Sequence, residues 1–235
     1  MNWLINLLNR IIELLKKKED KMESSKPPVL IIKKKITAED IILANPELFA
    51  GDRSKWIKVQ WIVEHHSATK DGKVPDTPAI WKYHTSYRID HEVVSKEEFY
   101  SRKELGYGRT FQEPWITIGY NALIEEVEDA LKIFAGRPLT MDGGHTKGLN
   151  TVSVGICTIG DYDKETPSEE KYESCAVLTK KYMTVFNLSI QAVIGHRDAN
   201  KMLGLHYKSC PGVKFDLEKL KQIICKIDDK RLIGV

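Results

Sequence analysis

Strand-like and helix-like segments alternate along most of this chain, which predicts a single α/β domain: a central mixed β-sheet flanked by helices, with an amphipathic helix ahead of it. Two further observations point the same way. Two apolar runs end abruptly at His65 and His196, as buried strands do when they leave a sheet at its carboxyl edge. The 235 residues, 42% hydrophobic and 29% charged, suffice for one well-buried domain plus an appendage and exclude wholesale disorder.

Residues 2–18 read as the amphipathic helix. Trp3, Leu4, Leu7, Leu8, Ile11, Leu14 and Leu15 recur at three- and four-residue steps, with Asn, Arg, Glu and Lys on the other face. Such a helix suits a membrane surface; docking on its own domain or on a second copy is the plainer alternative. Residues 19–28 form a linker ending in Pro27 and Pro28, so 1–28 is an appendage and 29–235 the domain. Thr37 to Asp40 opens a short helix in capping-box style. Residues 56–65, aromatic and β-branched, predict a central strand, and Pro78 marks the start of a helix carrying Trp81 and His84. Ser95 caps a short charged helix inside an excursion over residues 89–114. Residues 116–125 and 152–159 are strand candidates, separated by a Gly-rich loop that carries His145. Thr166 to Glu169 combines a capping box with proline and starts a helix to about residue 187; residues 190–195 form a strand ending at His196; Asp216 caps the last helix.

The formal charge of +3 is too small to point to nucleic acid, and it is uneven. Residues 1–35 hold nine Lys/Arg against four Asp/Glu, while the remainder holds 27 against 29. The basic character lies in the leader. The four cysteines form no C-x-x-C pair, and their spacing is not that of a secreted disulfide scaffold. The first 18 residues lack the basic start and small-residue cleavage site of a signal peptide. A reduced chain made in the cytoplasm, monomeric and held to a membrane surface by residues 2–18 if anywhere, is the expectation.

The residues that carry chemistry sit in two places. His65 and His66 close the first strand; His196 follows Gly195, and Lys208 and Cys210 come shortly after. Two imidazoles and one thiolate are enough protein ligands for a catalytic zinc, with a fourth position open. Cys210 precedes a proline, which biases it toward extended backbone, so Lys208 and Cys210 point the same way. A lone histidine at a strand end is ordinarily a hydrogen-bonded structural residue, however, and seven histidines offer many false triads.

The order of motifs decides between these. His65-His66-Ser67-Ala68-Thr69, Trp81-Lys82-Tyr83-His84 and Trp115 to Asn121 come first. They are followed by His145-x-x-Gly148-x-Asn150, Ser153 to Cys157, Gly195-His196-Arg197-Asp198 and Lys208-Ser209-Cys210-Pro211-Gly212. Together they resemble the zinc-dependent N-acetylmuramoyl-L-alanine amidases of the type-2 family, which includes phage endolysins and peptidoglycan recognition proteins, over about residues 56–225. The resemblance implies one zinc ion held by His65, His196 and Cys210, with Tyr120 and Lys208 catalytic and His145 at the substrate. It implies a bacteriolytic hydrolase that cuts the amide between the lactyl group of N-acetylmuramic acid and L-alanine in peptidoglycan. Two departures stand out: the segment between Tyr83 and Trp115 is longer than in compact members, and Asn121 stands where histidine is common. A phage or prophage endolysin is the leading expectation. A non-catalytic peptidoglycan-binding receptor and a bacterial cell-wall remodelling amidase are the alternatives.

Overall fold

The computed structural model describes residues 29–32, 46–70, 76–127 and 130–228. The amphipathic stretch 2–18, the linker and the capping box at Thr37 lie outside them. The main sheet has six strands: β1 (Val29–Ile32), β2 (Trp61–His66), β6 (Ala122–Val127), β7 (Ala130–Ala135), β8 (Ser153–Thr158) and β9 (Val193–Gly195), in the spatial order β1-β7-β6-β8-β2-β9. The run β6-β8-β2-β9 is parallel, while β7 pairs antiparallel with β6 and with the edge strand β1, so the sheet is mixed as expected. Every residue of β8 is buried, which fits a strand covered on both faces.

Alternation along β2 decides which residues reach which face. Ile62, Glu64 and His66 point toward α3 (Glu169–Phe186) and α5 (Leu217–Cys225), whose Tyr172, Leu178 and Leu220 join Ile62, Ile124 and Ile156 in the main core. There the Glu64 carboxylate accepts bonds from Cys175 Sγ at 3.1 Å and Thr179 Oγ1 at 2.8 Å. Val63 and His65 point to the opposite face, where α1 (Asp76–His84) and α4 (His196–Met202) lie. A one-residue slip of β2 would exchange the two sets.

Helix boundaries follow the expected caps with two shifts, the first being that α1 starts at Asp76 and makes Pro78 its third residue rather than its first. Ser95 caps α2 (Lys96–Glu104) through a 3.1 Å bond from Glu98 N–H, and Asp216 caps α5. Helix α3 begins at Ser168, whose hydroxyl accepts from Lys171 N–H, two residues beyond the expected Thr166 start. The excursion is a small unit: β3 (Arg88–Ile89), β4 (Glu92–Val93) and β5 (Phe111–Gln112) form a three-stranded sheet, with Phe99 of α2 buried against Tyr87 and Phe111.

Residues 116–121 correct the expected strand. Arg137 takes the Thr117 and Ile118 carbonyls, at 3.1 and 2.9 Å, and Gly119 N–H donates to His84 Nδ1 at 3.1 Å, so those backbone groups are spent on loop contacts. Residues 190–192 similarly form a 3-10 turn, leaving only Val193–Gly195 as strand. Among the described residues no helix is long and apolar enough to cross a membrane.

Candidate metal centre

Three separate pieces of chain bring His65, His196 and Cys210 together, with one ligand atom from each lying within 4.8 Å of the others. His65 comes from the C-terminal end of β2, and His196 opens α4 directly after β9, so parallel pairing of β2 and β9 delivers both to one sheet edge. Cys210 comes from the loop beyond α4 and joins Pro211 through a cis peptide. Its Sγ stands 3.6 Å from His65 Nδ1.

The Cys210 loop is held by residues to which sequence reasoning gave no role. Arg197 N–H donates to the Cys210 carbonyl at 2.7 Å, and the Arg197 guanidinium donates to the carbonyls of Gly212 at 2.7 Å, Phe215 at 3.1 Å and Ser209 at 3.4 Å. From the other side Asp163 accepts from Ser209 Oγ at 2.7 Å and Val213 N–H at 2.9 Å. Gly212 has φ +109°, and a Cβ there would meet the Tyr162 backbone at 2.5 Å, so the loop closes only on glycine.

Behind His65 lies His145. Its Nδ1 is 3.1 Å from His65 Nε2, and Thr146 Oγ1 lies 3.3 Å from the same atom and 3.0 Å from His145 Nδ1. The Gly-rich loop is folded under by Asn150, whose Oδ1 accepts from both His145 and Thr146 N–H. Gly155 leaves room for the ring: a Cβ there would lie 2.5 Å from His145 Cγ. The structure thus gives His145 a partner in His65, a contact that the expectation of substrate binding did not foresee. His66 turns away and accepts from Tyr162 N–H at 3.2 Å.

Tyr120 lies over the centre, its ring centroid 5.2 Å from that of His65 and 5.8 Å from that of His84. Lys208 is exposed and lines a cleft of about 450 Å³ together with His196, His145, Trp115, Lys147 and Asn200. Asn121, at the position of the family's frequent histidine, ties loops together: its Oδ1 accepts from Gly155 N–H and its Nδ2 donates to the Arg137 carbonyl, both at 2.9 Å.

Electrostatically the centre is a set of neutral donors. Burial, then the neighbouring His145, His196 and Lys208, hold His65 well below the usual histidine range; burial and Lys208 bring His196 down to about 4. Burial pushes the Cys210 thiol up to about 12, against the pull of the His66 backbone and Lys208. Burial, with Cys157 and Cys210 nearby, keeps the Tyr120 phenol well above its usual value. Two lone-pair imidazoles and a thiol converging on one point form a donor set able to hold a metal ion, whose charge favours the thiolate.

The sequence model described as N-acetylmuramoyl-L-alanine amidase matches residues 55–213, about two thirds of the chain and all three converging residues. The chain belongs to the N-acetylmuramoyl-L-alanine amidase family. Among curated relatives of this family member, peptidoglycan recognition protein 1 of Rattus norvegicus is 32% identical over 175 residues, 68% of this chain and 83% of that one. The endolysin of Klebsiella phage KP32 is 28% identical over 112 residues, 46% of this chain and 66% of that one. Among solved structures, the endolysin amidase LysCS from Clostridium intestinale covers 71% of this chain and 83% of its own, at 22% identity and a TM-score of 0.46.

Proposed function

We propose that this amidase is a zinc enzyme that hydrolyses the bond between the lactyl carbonyl of N-acetylmuramic acid and L-alanine of the peptidoglycan stem, acting as an endolysin, with His65, His196 and Cys210 as the ligands. One observation carries it: the 3.6 Å between Cys210 Sγ and His65 Nδ1. A nitrogen and a sulfur bound to one tetrahedral zinc at about 2.05 and 2.3 Å stand about 3.5 Å apart. The mixed nitrogen and sulfur donors favour zinc over the oxygen-seeking magnesium and calcium. When bound, zinc supplies Lewis acidity toward the scissile carbonyl and lowers the pKa of a water beside it.

The chain's own residues do the rest. His65 turns Nδ1 to the cluster, so its proton resides on Nε2, where His145 Nδ1 and Thr146 Oγ1 offer two acceptors that fix the ring and its tautomer. Lys208, on the open side, places a positive charge where the tetrahedral oxyanion develops. Tyr120 stays protonated at neutral pH and donates a hydrogen bond that orients water or the carbonyl. The cleft beside His196 admits the glycan-linked peptide.

The recognition-protein relative, which matches more of the chain than the phage endolysin does, favours a second reading: binding of peptidoglycan without cleavage. The complete His-His-Cys set with Lys208 and Tyr120 supports catalysis instead. A Cys210→Ser protein distinguishes them. Zinc content measured on the folded protein is expected to fall from one ion to a small fraction, with hydrolysis of a soluble N-acetylmuramoyl-L-alanyl peptide lost; full turnover in a zinc-free Cys210→Ser protein defeats the ligand assignment. Residues 2–18 are proposed to rest on an anionic membrane surface. Equal partitioning onto anionic vesicles of the full chain and a form lacking residues 1–25 would refute that.

A further inference from the structure

Asn200 is the cleft-lining side chain that the proposed reaction leaves without a task. It lies on α4, four residues after His196, so the two share one face of the helix, one turn apart. The residue is only 4% exposed and lines the cleft, so the little surface it shows is there. Two bonds hold it. Its backbone carbonyl accepts from Leu205 N–H at 2.8 Å, and its Nδ2 donates to the His206 carbonyl at 2.7 Å. Only the NH2 end of an amide can meet a carbonyl, so the orientation of the side chain is settled.

The oxygen end is left over. Oδ1 has no hydrogen-bond partner among the described residues, yet it is not shut off from solvent either. An acceptor that is held still, on a residue otherwise enclosed, therefore opens onto the cleft. Fastening the 205–206 loop accounts for Nδ2 and not for Oδ1. A ligand that covers a fixed oxygen without supplying a donor strands it, so the ligand that fits brings an N–H. Position says which N–H. Four residues of helix separate Asn200 from His196 by about 6 Å. In an extended peptide whose scissile carbonyl lies beside His196, the alanine nitrogen is about 1.3 Å from that carbon and the next main-chain nitrogen about 5 Å. The second matches the helical step.

We infer that Asn200 is a specificity-determining residue whose Oδ1 accepts the main-chain N–H of the residue that follows L-alanine in the stem peptide. This rests on the amidase reading for the identity of the ligand; the acceptor itself rests on the geometry of α4 and the 205–206 loop. The bond fixes the register of the peptide in the cleft, because a main-chain N–H recurs only once per residue. A peptide with an ester in place of that amide keeps its length and planarity but loses the N–H. It turns an oxygen lone pair toward Oδ1 and is disfavoured.

The test uses two soluble N-acetylmuramoyl-L-alanyl peptides, identical except that alanine is joined to the next residue through an amide or an ester. Zinc-loaded wild type is expected to show a kcat/KM about tenfold or more higher for the amide, chiefly through KM. Asn200→Ala should erase the preference, and Asn200→Asp, which keeps an oxygen there, should retain it. Both variants lose the bond to the His206 carbonyl, so their difference separates the acceptor from the fastening of the loop. Calorimetric binding of the same peptides to chelator-treated protein provides a readout independent of turnover. Discrimination in binding without any cleavage would overturn the amidase reading and keep the acceptor. Equal cleavage of both peptides by wild type would overturn the acceptor and keep the amidase, and that comparison decides alone if Asn200→Ala does not fold. An Asn200→Ala protein that melts like wild type and retains the preference also overturns it.

Discussion

Replacing Arg197 by methionine removes the fastening of the Cys210 loop while leaving His65, His196 and Cys210 in the chain. The guanidinium makes two good bonds, to Gly212 O at 2.7 Å and Phe215 O at 3.1 Å, and a longer one to Ser209 O at 3.4 Å. A hydrogen bond from a charged donor contributes about 1.5–3 kcal/mol, and the partly exposed setting argues for the lower value. Counting the two short bonds and nothing for the third gives a loss of about 3 kcal/mol. For a domain of this size each kcal/mol moves the melting temperature by about 2–4 °C, so the expected fall is about 6–12 °C. Because the released loop carries Cys210, zinc affinity should also drop, by about 10–100-fold as for other outer-sphere losses. Thermal unfolding and competitive zinc titration measure both quantities on the same sample. Arg197→Lys keeps the charge but cannot reach three carbonyls, and it should recover less than half of the stability. A methionine variant that melts within 1–2 °C of wild type (about 0.5 kcal/mol) and binds zinc normally would refute this account of the loop.

Three other outcomes follow from the geometry. Lys208→Ala should keep its zinc and lose turnover by about a hundredfold or more, as when a well-placed oxyanion donor is removed; steady-state kinetics with metal analysis check both halves, and unchanged turnover removes Lys208 from the mechanism. Gly155→Ala drives a methyl group into the His145 ring, 2.5 Å from Cγ, at a cost of about 1–3 kcal/mol; denaturant unfolding should register that loss and zinc titration a weaker site, whereas wild-type values in both would show that the ring has room to retreat. Glu64 is raised to about 7 by burial, so the folded state holds a proton that the unfolded carboxyl releases near 4.5. Its contribution is fully present below pH 4.5 and is lost as pH rises through 7, on the order of 3 kcal/mol at 1.36 kcal/mol per pKa unit. Glu64→Gln should flatten that part of the stability profile, and identical pH profiles for the two proteins would contradict the assignment.

The legible parts of the fold were those written in local chemistry. The hydroxyl of Ser95 and the carboxylate of Asp216 cap the helices they were expected to cap, and the apolar run before His65 becomes a buried strand with that histidine near its end. The family's order of motifs selected His65, His196 and Cys210 from seven histidines and four cysteines, and those three do converge. What escaped depends on partners distant in sequence. Residues 116–118 have the composition of a strand, but Arg137 captures the carbonyls of Thr117 and Ile118 from a position some twenty residues later. Strand β7 alternates in sequence yet gave no expected element, because the pattern of Ala130 to Ala135 is short and carries a lysine. The sequence gives no signal of the contact between His145 and His65, which needs the clearance at Gly155 and the grip of Asn150 to bring its Nδ1 there.

The most direct test of a zinc amidase is digestion of purified peptidoglycan with and without a zinc chelator, scoring new alanine amino termini against new reducing sugar ends. Alanine amines released without reducing ends, abolished by the chelator and restored by zinc, is the predicted result. Tight pelleting on the peptidoglycan with no amines released by zinc-replete protein would contradict it and make this chain a receptor.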